Sequence, residues 1–380
     1  MTVIPVAAAR EVGGVGLQEW PSAWRATVDK AAQQEPADAS ATTTDSEQHE
    51  EPDFAALRGH LELVLARAVP TVPEVQHLWA CLSELARSLA PLGRVWRLSP
   101  FGSVRNLLLT RGSDVDATIY RSDGQDEGDS AAAVRVLQGS VLPLLSQSSR
   151  FEVVRLVPGA RIPVLSLRFD GAVDVDLSCH NTEPLRNSQL LRAYAQVSPL
   201  VRGLALLVKL WSKAAGVCGA QSRNLTSYAL ALMAIYFLQV HPDFGLPLLS
   251  TQLFDGFGHL PPAPRWECRA PLPGALRQFF AFYAREFEWG REVVSVRLGR
   301  RCRAGGPEFT LLPNAADHRL HVEDPFLTGR NLNCVLGLEQ EAQLQAALRA
   351  AEAALRGGGL PLGLGGVAVS AGGGLAGCGW

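Results

Sequence analysis

The chain has 380 residues, and 47% of them are hydrophobic, which is enough apolar surface to build about two domains. Its 35 Lys and Arg residues nearly balance 37 Asp and Glu residues, so the overall charge gives no support to nucleic-acid binding and any basic surface must be local. The 7 cysteines are irregularly spaced and odd in number, which argues against a disulfide framework or a structural zinc site and favours an intracellular protein.

Residues 1–53 are predicted to form a disordered lead-in, because 33–53 are polar, acidic and without an apolar period. Basic residues near the N-terminus are offset by acidic ones, a pattern that leaves a mitochondrial and a cytoplasmic location both open. No apolar run reaches the about 18 residues of a membrane span, so no membrane association is expected. Residues 54–93 have a helical pattern interrupted near Pro70 and Pro73, and we expect this segment to pack with the helical domain that follows the sheet.

Short apolar runs bounded by Gly, Pro or Asp predict the next elements as strands, with one helix between them at 131–145. They indicate a mixed sheet with a helix over residues 94–182. The predicted strands are 94–98, 115–120, 151–157, 164–169 and 173–177.

A helical period returns at residue 183 and predicts a mostly helical domain over 183–355. Apolar residues recur at alternating steps of three and four between Leu190 and Trp211, which predicts one long helix there. The last residues, 356–380, are Gly-rich and are predicted to be a flexible tail. The predicted fold class is therefore α+β, a small mixed-sheet domain followed by a mostly helical one. Further helices are predicted at 228–240 and 276–287.

The segment 101–120, FGSVRNLLLTRGSDVDATIY, places two carboxylates on a predicted strand. Because side chains alternate along a strand, Asp114 and Asp116 share one face. The later strand VDVDL repeats the pattern with Asp174 and Asp176, and periodicity alone does not choose which of these joins the first pair. Three carboxylates on neighbouring strands would suit two Mg²⁺ or Mn²⁺ ions about 3.5–4 Å apart.

A small loop precedes the first carboxylate strand and contains Gly102 and Ser103. Glycine lets the backbone approach a phosphate closely, and a serine hydroxyl with free helix N–H groups can bind its oxygens. Gly-Ser and D-x-D are weak signals alone. Their combination, followed by a further strand Asp about sixty residues later, favours a metal-dependent nucleotide site.

The motifs FGS (101–103) and GSDVD (112–116) are followed by further segments: VKLWSK (208–213), LTSY (225–228), FFAFY (279–283) and VEDPF (322–326). Together these motifs resemble the DNA polymerase β nucleotidyltransferase superfamily, and within it the terminal uridylyltransferases and noncanonical poly(A) polymerases. The short spacing between Asp116 and Asp176 makes the chain most similar to the compact kinetoplastid RNA uridylyltransferases. The resemblance implies a polymerase β-like catalytic domain over 94–182, with the active site in the cleft between it and the helical central domain.

By this resemblance Asp176 is the third carboxylate and binds the two metal ions together with Asp114 and Asp116, while the role of Asp174 stays open. Lys209 and Lys213 are four residues apart and project from one side of a helix. On an unrelated helix such lysines would be solvated surface residues. The resemblance implies instead that they bind the triphosphate, whose charge the metals do not fully compensate.

The same resemblance implies roles for residues that their own pattern does not single out. Tyr228 is expected to stack on the incoming base rather than fill the core, and Ser227 to reach a phosphate oxygen. Asn187 is expected to bind the ribose hydroxyls. Asn181 and Arg202 are expected to lie near the RNA.

Base choice is expected to come from a nucleotide-recognition loop at 322–336. Asp324 can accept a hydrogen bond from uracil N3–H, a donor that adenine lacks. Leu327 departs from kinetoplastid relatives, which carry a second acid there. Arg330 stands where fungal and animal uridylyltransferases carry a histidine, and it can fill that space, donate to uracil O4 or bind an RNA phosphate.

The sequence therefore predicts an RNA 3′-terminal uridylyltransferase that uses UTP and releases pyrophosphate. A poly(A) polymerase on the same scaffold is the nearest alternative, and an inactive RNA-binding or scaffold protein is the alternative from another class. Transfer to a small molecule or a protein is disfavoured by the central-domain motifs. No appended RNA-binding module is recognisable, so RNA specificity is expected from a partner protein complex or from a diffuse basic surface.

Overall fold

The computed structural model describes residues 4–5, 52–311, 317–361 and 364. Within them a six-stranded mixed sheet is combined with a mostly helical part, and the predicted α+β class is confirmed. Most of the predicted disordered lead-in, 1–53, lies outside the described residues, as does most of the predicted tail, 356–380.

Two helices precede most of the sheet, α1 (Pro52–Ala68) and α2 (Val72–Leu89). Thr71 caps α2 in a capping box, in which the Glu74 carboxylate accepts a hydrogen bond from the Thr71 N–H at 2.6 Å. Leu61 of α1 lies in the core of the helical part, whereas Leu82 of α2 lies in the core beneath the sheet. The prediction that the whole segment 54–93 packs with the helical domain is therefore wrong for α2, whose apolar face covers the sheet.

The sheet contains β1 (Ile4–Pro5), β2 (Trp96–Phe101), β3 (Val115–Arg121), β4 (Phe151–Val157), β5 (Val164–Phe169) and β6 (Val173–Cys179). Their spatial order is β1-β2-β3-β6-β5-β4, with β3 and β6 parallel and the other neighbours antiparallel. The first predicted strand, 94–98, begins two residues too early, since the Trp96 N–H closes a turn on the Gly93 carbonyl. The short strand β1 was not predicted and lies in the predicted lead-in.

The two faces of the sheet differ because side chains alternate along β3. Val115, Ala117 and Ile119 point into a core shared with α2 and are fully buried.

Two shorter helical segments also belong to the sheet-containing part of the chain. They are α3 (Ser103–Asn106) and α4 (Ser130–Val136), the latter continuing through a π turn (Leu137–Val141) into α5 (Leu142–Leu145).

The helical part contains α6 (Glu183–Val197), α7 (Pro199–Ala214), α8 (Ser227–Val240), α9 (Leu272–Ala281) and α10 (Leu338–Arg356). The predicted single helix across Leu190 and Trp211 is wrong, because Ser198 is extended at φ −159° and ψ 148° and separates α6 from α7. Its side chain caps α7 by accepting a hydrogen bond from the Leu200 N–H. Apolar periodicity continues across the break because both helices bury their apolar faces in one core.

The last described residues pack rather than extend away. Leu364 is buried in the helical core, and Leu360 packs against it. The prediction of a flexible tail is therefore wrong for these two residues. Among the helices that the structure describes, none combines the length and the apolar character needed to cross a bilayer.

Candidate active site

Three carboxylates meet where β3 and β6 run side by side. The parallel register places Asp116 directly opposite Asp176, and Asp114 lies one residue before β3. Oxygen atoms of all three lie within 4.8 Å of one another. Ser166 of the neighbouring strand β5 donates its hydroxyl to Asp176 Oδ1 at 2.8 Å, which orients that carboxylate. The cluster is thus fixed by backbone pairing rather than by flexible loops.

The electrostatics of this cluster favour a cation. Asp116 is buried, and Asp114 and Asp176 are half-buried. Burial raises the pKa of Asp176, and the nearby charge of Asp114 raises it further against the opposing hydrogen bond from Ser166. Like charges this close in a partly dry site are stabilised by a metal, and carboxylate oxygens suit Mg²⁺ or Mn²⁺. The donor set fits the two-ion centre that the sequence suggested.

Asp174 lies outside this cluster. Its carboxylate pairs with Arg168 of β5 at 2.9 Å, and its side chain is 41% exposed. Of the two aspartates that strand periodicity left equivalent, the structure therefore brings only Asp176 to the first pair.

Substituting Asp176 with asparagine should stabilise the metal-free protein. If the pKa of a carboxyl is higher in the folded than in the unfolded chain, its ionisation costs more in the folded protein. The stability of the fold therefore decreases as the pH rises through the folded-state pKa. At neutral pH we therefore expect the variant to have a higher Tm than the wild type, and near pH 3 we expect the difference to disappear. Thermal melts in EDTA measure this effect. Asp174→Asn, which breaks a surface ion pair, is the matched control and should give no gain.

The Gly-Ser turn lies beside the cluster, at the end of β2. Gly102 has φ 66°, a conformation that suits glycine, and its N–H donates to Ser188 Oγ of α6 at 2.9 Å. Ser103 follows at the start of α3. Its hydroxyl is buried and, among the described residues, has no hydrogen-bond partner. An unpartnered buried hydroxyl is costly, so its position on the pocket wall points to a ligand oxygen.

The two lysines and two of the carboxylates line one pocket. Its described lining includes Asp114, Asp116, Ser103, Lys209, Lys213, Ser227 and Tyr228. Lys209 is buried, and its Nζ donates to the Leu108 carbonyl at 2.8 Å. Lys213 lies one turn later and is partly exposed. Cations and carboxylates that line the same pocket match a ligand that carries both phosphates and metal ions.

Arg202, for which a position near RNA remains a prediction, makes a contact within the protein. Its Nε donates to the Leu107 carbonyl at 3.0 Å, one residue before the carbonyl that Lys209 holds. Leu107 has φ 66° and begins the loop that leads to Asp114. Two cations of α7 therefore fasten that loop to the helical domain.

Tyr228, which lines the pocket, is hydrogen-bonded to Asn187. The Tyr228 hydroxyl donates to Asn187 Oδ1 at 3.1 Å, and both side chains are buried. Burial raises the pKa of Tyr228, which stays neutral and able to donate. Asn181 lies two residues past β6, where its N–H contacts Thr118 Oγ1. In the parallel register this position is towards the other end of the strands from Asp114.

The recognition loop follows a short strand, β7 (His321–Val322), and lies near Tyr228, whose pKa is affected by the charges of Asp324 and Arg330. Asp324 is buried, and its Oδ1 accepts hydrogen bonds from the Phe326 and Leu327 N–H groups at 3.0 and 3.2 Å. Its Oδ2 faces Arg330 Nη1 at 3.4 Å. Asp324 thus shapes the loop as well as presenting a carboxylate.

Sequence reasoning did not identify three supporting polar residues. Ser166 and Ser188 orient Asp176 and Gly102, respectively. Glu323 is buried and pairs with Arg297 at 2.6 Å, which holds the base of the recognition loop. A polar residue inside an apolar strand, as in VLSLRF, was the available signal for Ser166.

Comparisons with known proteins agree with this geometry. A model of the family "Poly(A) RNA polymerase, mitochondrial-like, central palm domain" matches residues 57–196, and one of "Cid1 family poly A polymerase" matches 273–330. The chain is similar in fold to the GLD-2/RNP-8 complex structure (TM-score 0.67, 24% identity, 80% of this chain and 95% of that one) and to the Cid1 poly(U) polymerase (0.65, 24%, 81% and 96%). The fold is therefore that of a polymerase β-like nucleotidyltransferase.

Similarity in sequence identifies the family within this class of nucleotidyltransferases. Terminal uridylyltransferase 4 of Trypanosoma brucei is 30% identical over 239 residues, which cover 58% of this chain and 71% of that protein. Poly(A) RNA polymerase GLD2 of Xenopus tropicalis is 28% identical over 297 residues, covering 73% of this chain and 53% of the relative. The chain spans about half the length of the GLD2 proteins that it matches. It belongs to the family of terminal uridylyltransferases and noncanonical poly(A) polymerases.

Proposed function

We propose that the protein transfers nucleotides from a nucleoside triphosphate to the 3′ end of RNA without a template. The observation that carries this proposal is the clustering of Asp114, Asp116 and Asp176, two of which line one pocket together with Lys209 and Lys213. Family membership supports it, since the named relatives are RNA nucleotidyltransferases. All three carboxylates are present and close together, which disfavours the alternative of an inactive scaffold protein.

The chain's own residues supply binding and positioning in this reaction. The three aspartates would hold two divalent ions, which when bound would acidify the RNA 3′-hydroxyl and stabilise the leaving pyrophosphate. Lys209 and Lys213 would compensate the charge of the β- and γ-phosphates. Preorganised groups of this kind accelerate phosphoryl transfer mainly by orientation and charge stabilisation.

The test of this proposal is direct. Purified protein is incubated with end-labelled RNA, Mg²⁺ or Mn²⁺, and each nucleoside triphosphate separately. Metal-dependent extension of the RNA by any of them supports the proposal. Absence of extension with every nucleotide and both metals would contradict it.

For the nucleotide, we propose UTP. Asp324 places a buried carboxylate near Tyr228, and such an acceptor suits the N3–H donor of uracil. The trypanosome relative is named as a uridylyltransferase. The Phe326 and Leu327 N–H groups occupy both lone pairs of Asp324 Oδ1, whereas Oδ2 keeps one lone pair beyond its contact with Arg330.

ATP is the second candidate, and one contact favours it. The pairing of Arg330 with Asp324 neutralises the acid that a uracil would need, and the GLD2 relatives are named as poly(A) polymerases. Comparing the initial rates with UTP and ATP on one RNA decides between the two. Long A tails with poor use of UTP would remove the first choice.

Replacing Arg330 with alanine should raise the ratio of UTP to ATP incorporation on the order of tenfold, because it frees a charged acceptor oxygen for uracil. Arg300→Ala, which removes an arginine paired with Glu308 on the surface, is the control and should leave the ratio unchanged. Competition assays with mixed nucleotides measure the ratio. An unchanged ratio in Arg330→Ala would show that Asp324 does not read the base.

RNA choice is proposed to come partly from a protein partner. One structure of similar fold is that of the GLD-2/RNP-8 complex, which contains a second protein. The net charge of the chain is near zero, which fits an enzyme whose affinity for RNA is increased by a partner protein.

A further inference from the structure

A second cavity, of about 300 Å³, lies at the opposite end of β3 and β6 from the carboxylates. Tyr120, near the end of β3, and His180, just past β6, form part of its wall. Tyr120 lies on the same face of β3 as Asp116, four residues and thus about 13 Å further along the strand. The cavity is therefore on the carboxylate side of the sheet, and its volume is that of a small ligand site.

An aromatic ring is held in place at this cavity. Phe257 is 40% exposed, and its ring centroid lies 5.3 Å from that of Tyr120. The turn that contains Phe257 is stabilised by a hydrogen bond within the turn, in which Asp255 Oδ1 accepts from the Phe257 N–H at 2.7 Å. Helix α6 stabilises the same turn through buried Gln189. Its side chain accepts a hydrogen bond from the Gly256 N–H at 2.8 Å and donates one to the Gly258 carbonyl at 3.0 Å. An exposed ring in a fixed orientation is a surface on which a base can stack.

The cavity also contains an unpartnered polar group. His180 is 3% exposed, and within the described part of the chain its Nε2 has no hydrogen-bond partner. Arg97, Glu127 and Arg121, which is paired with Asp123, contribute to the same wall. A buried ring nitrogen without a partner is costly, so its presence on a cavity wall points to a ligand that can donate or accept a hydrogen bond.

Arg105 of α3 and Arg192 of α6 lie on two helices that pack against each other. Arg105 lies two residues after Ser103, and in the described residues neither it nor Arg192 of α6 has a carboxylate partner. Arg192 Nε is buried and unpartnered. Burial lowers the pKa of Arg105, and the charge of Arg192 lowers it further. Two half-buried arginines that repel each other are stabilised by an anion such as a phosphate.

We propose that this cavity is a subsite for the acceptor RNA, in which a base at least two nucleotides upstream of the 3′ end stacks on Phe257 and the phosphate that follows it binds Arg105 and Arg192. The inference rests on the proposed RNA transfer. It fits the sequence-based expectation for Asn181, whose neighbours His180 and Thr182 both line the cavity.

The test uses Phe257→Ala, with Leu253→Ala as a control, because Leu253 is 54% exposed in the same segment and lies outside the described cavity wall. Extension kinetics are measured with a dinucleotide acceptor, which cannot reach the cavity, and with a longer oligoribonucleotide. Phe257→Ala should raise the KM for the longer acceptor about tenfold, the loss expected from one base–aromatic stack. The KM for the nucleotide and for the dinucleotide should stay unchanged, and Phe257→Tyr should restore the longer acceptor.

Binding of a fluorescent oligoribonucleotide without nucleotide or metal separates this inference from the proposed reaction. If the protein extends no RNA, the proposed reaction fails, yet a weaker affinity in Phe257→Ala alone would still support the subsite. Equal effects on both acceptors, or unchanged affinity and KM for the longer acceptor, would overturn it.

Discussion

Replacing Asp114 and Asp116 together with alanine should abolish RNA extension. The double variant removes most of the oxygen ligands from a centre whose three carboxylates lie within 4.8 Å of one another. Metal ions stabilise the transition state of such a reaction by several kcal/mol. Loss of this stabilisation corresponds to a reduction in rate of about a thousandfold or more. Single-turnover extension of labelled RNA with saturating nucleotide measures this loss.

The fold should survive the double substitution. Removing two of three repelling carboxylates relieves electrostatic cost, and the opposite face of β3 keeps its buried Val115 and Ala117. The control is Asp174→Ala, which removes an exposed carboxylate on the neighbouring strand and should retain activity. Extension at the wild-type rate by the double variant, with an unchanged melting temperature, would exclude this metal centre.

The carboxylate pair could be predicted from sequence because a strand has a fixed period of two. Asp114 and Asp116 had to share a face as soon as Val115 and Ala117 were assigned to the core. The choice between Asp174 and Asp176 required the register between β3 and β6, which depends on long-range pairing and not on local pattern. The family resemblance supplied Asp176, and the geometry groups it with the first pair independently.

Residues whose roles depend on side-chain contacts across the fold could not be read from the chain alone. Arg202 has the same helical spacing as the lysines, yet its Nε binds the Leu107 carbonyl. The contact between Arg330 and Asp324 changes how the recognition loop presents its acid, and no local pattern indicates it. The break at Ser198 was missed for a related reason, because both helices bury their apolar residues in one core.

The second large effect is expected from substitution of Lys209 and Lys213. The two lysines differ because Lys209 also binds a backbone carbonyl of the protein. Lys213→Ala removes a partly exposed cation from the pocket wall, and we expect the KM for the nucleotide to rise at least about tenfold, as for loss of one hydrogen bond to a charged group. Lys209→Ala should reduce kcat/KM further, because Lys209 also holds the Leu108 carbonyl in the loop before Asp114. Leaving that buried carbonyl without a donor also lowers stability, by about 1–3 kcal/mol.

Glutamine at position 209 separates the two roles of Lys209. Lys209→Gln keeps an N–H donor for Leu108 and removes the charge, so its melting temperature should lie nearer to that of the wild type than that of Lys209→Ala. Its kcat/KM should nevertheless stay low, because a neutral amide does not compensate a triphosphate. Steady-state kinetics and thermal melts of Lys209→Ala, Lys209→Gln and Lys213→Ala measure both quantities. Full activity in Lys209→Gln would show that Lys209 positions the loop before Asp114 and that its charge takes no part in binding the nucleotide.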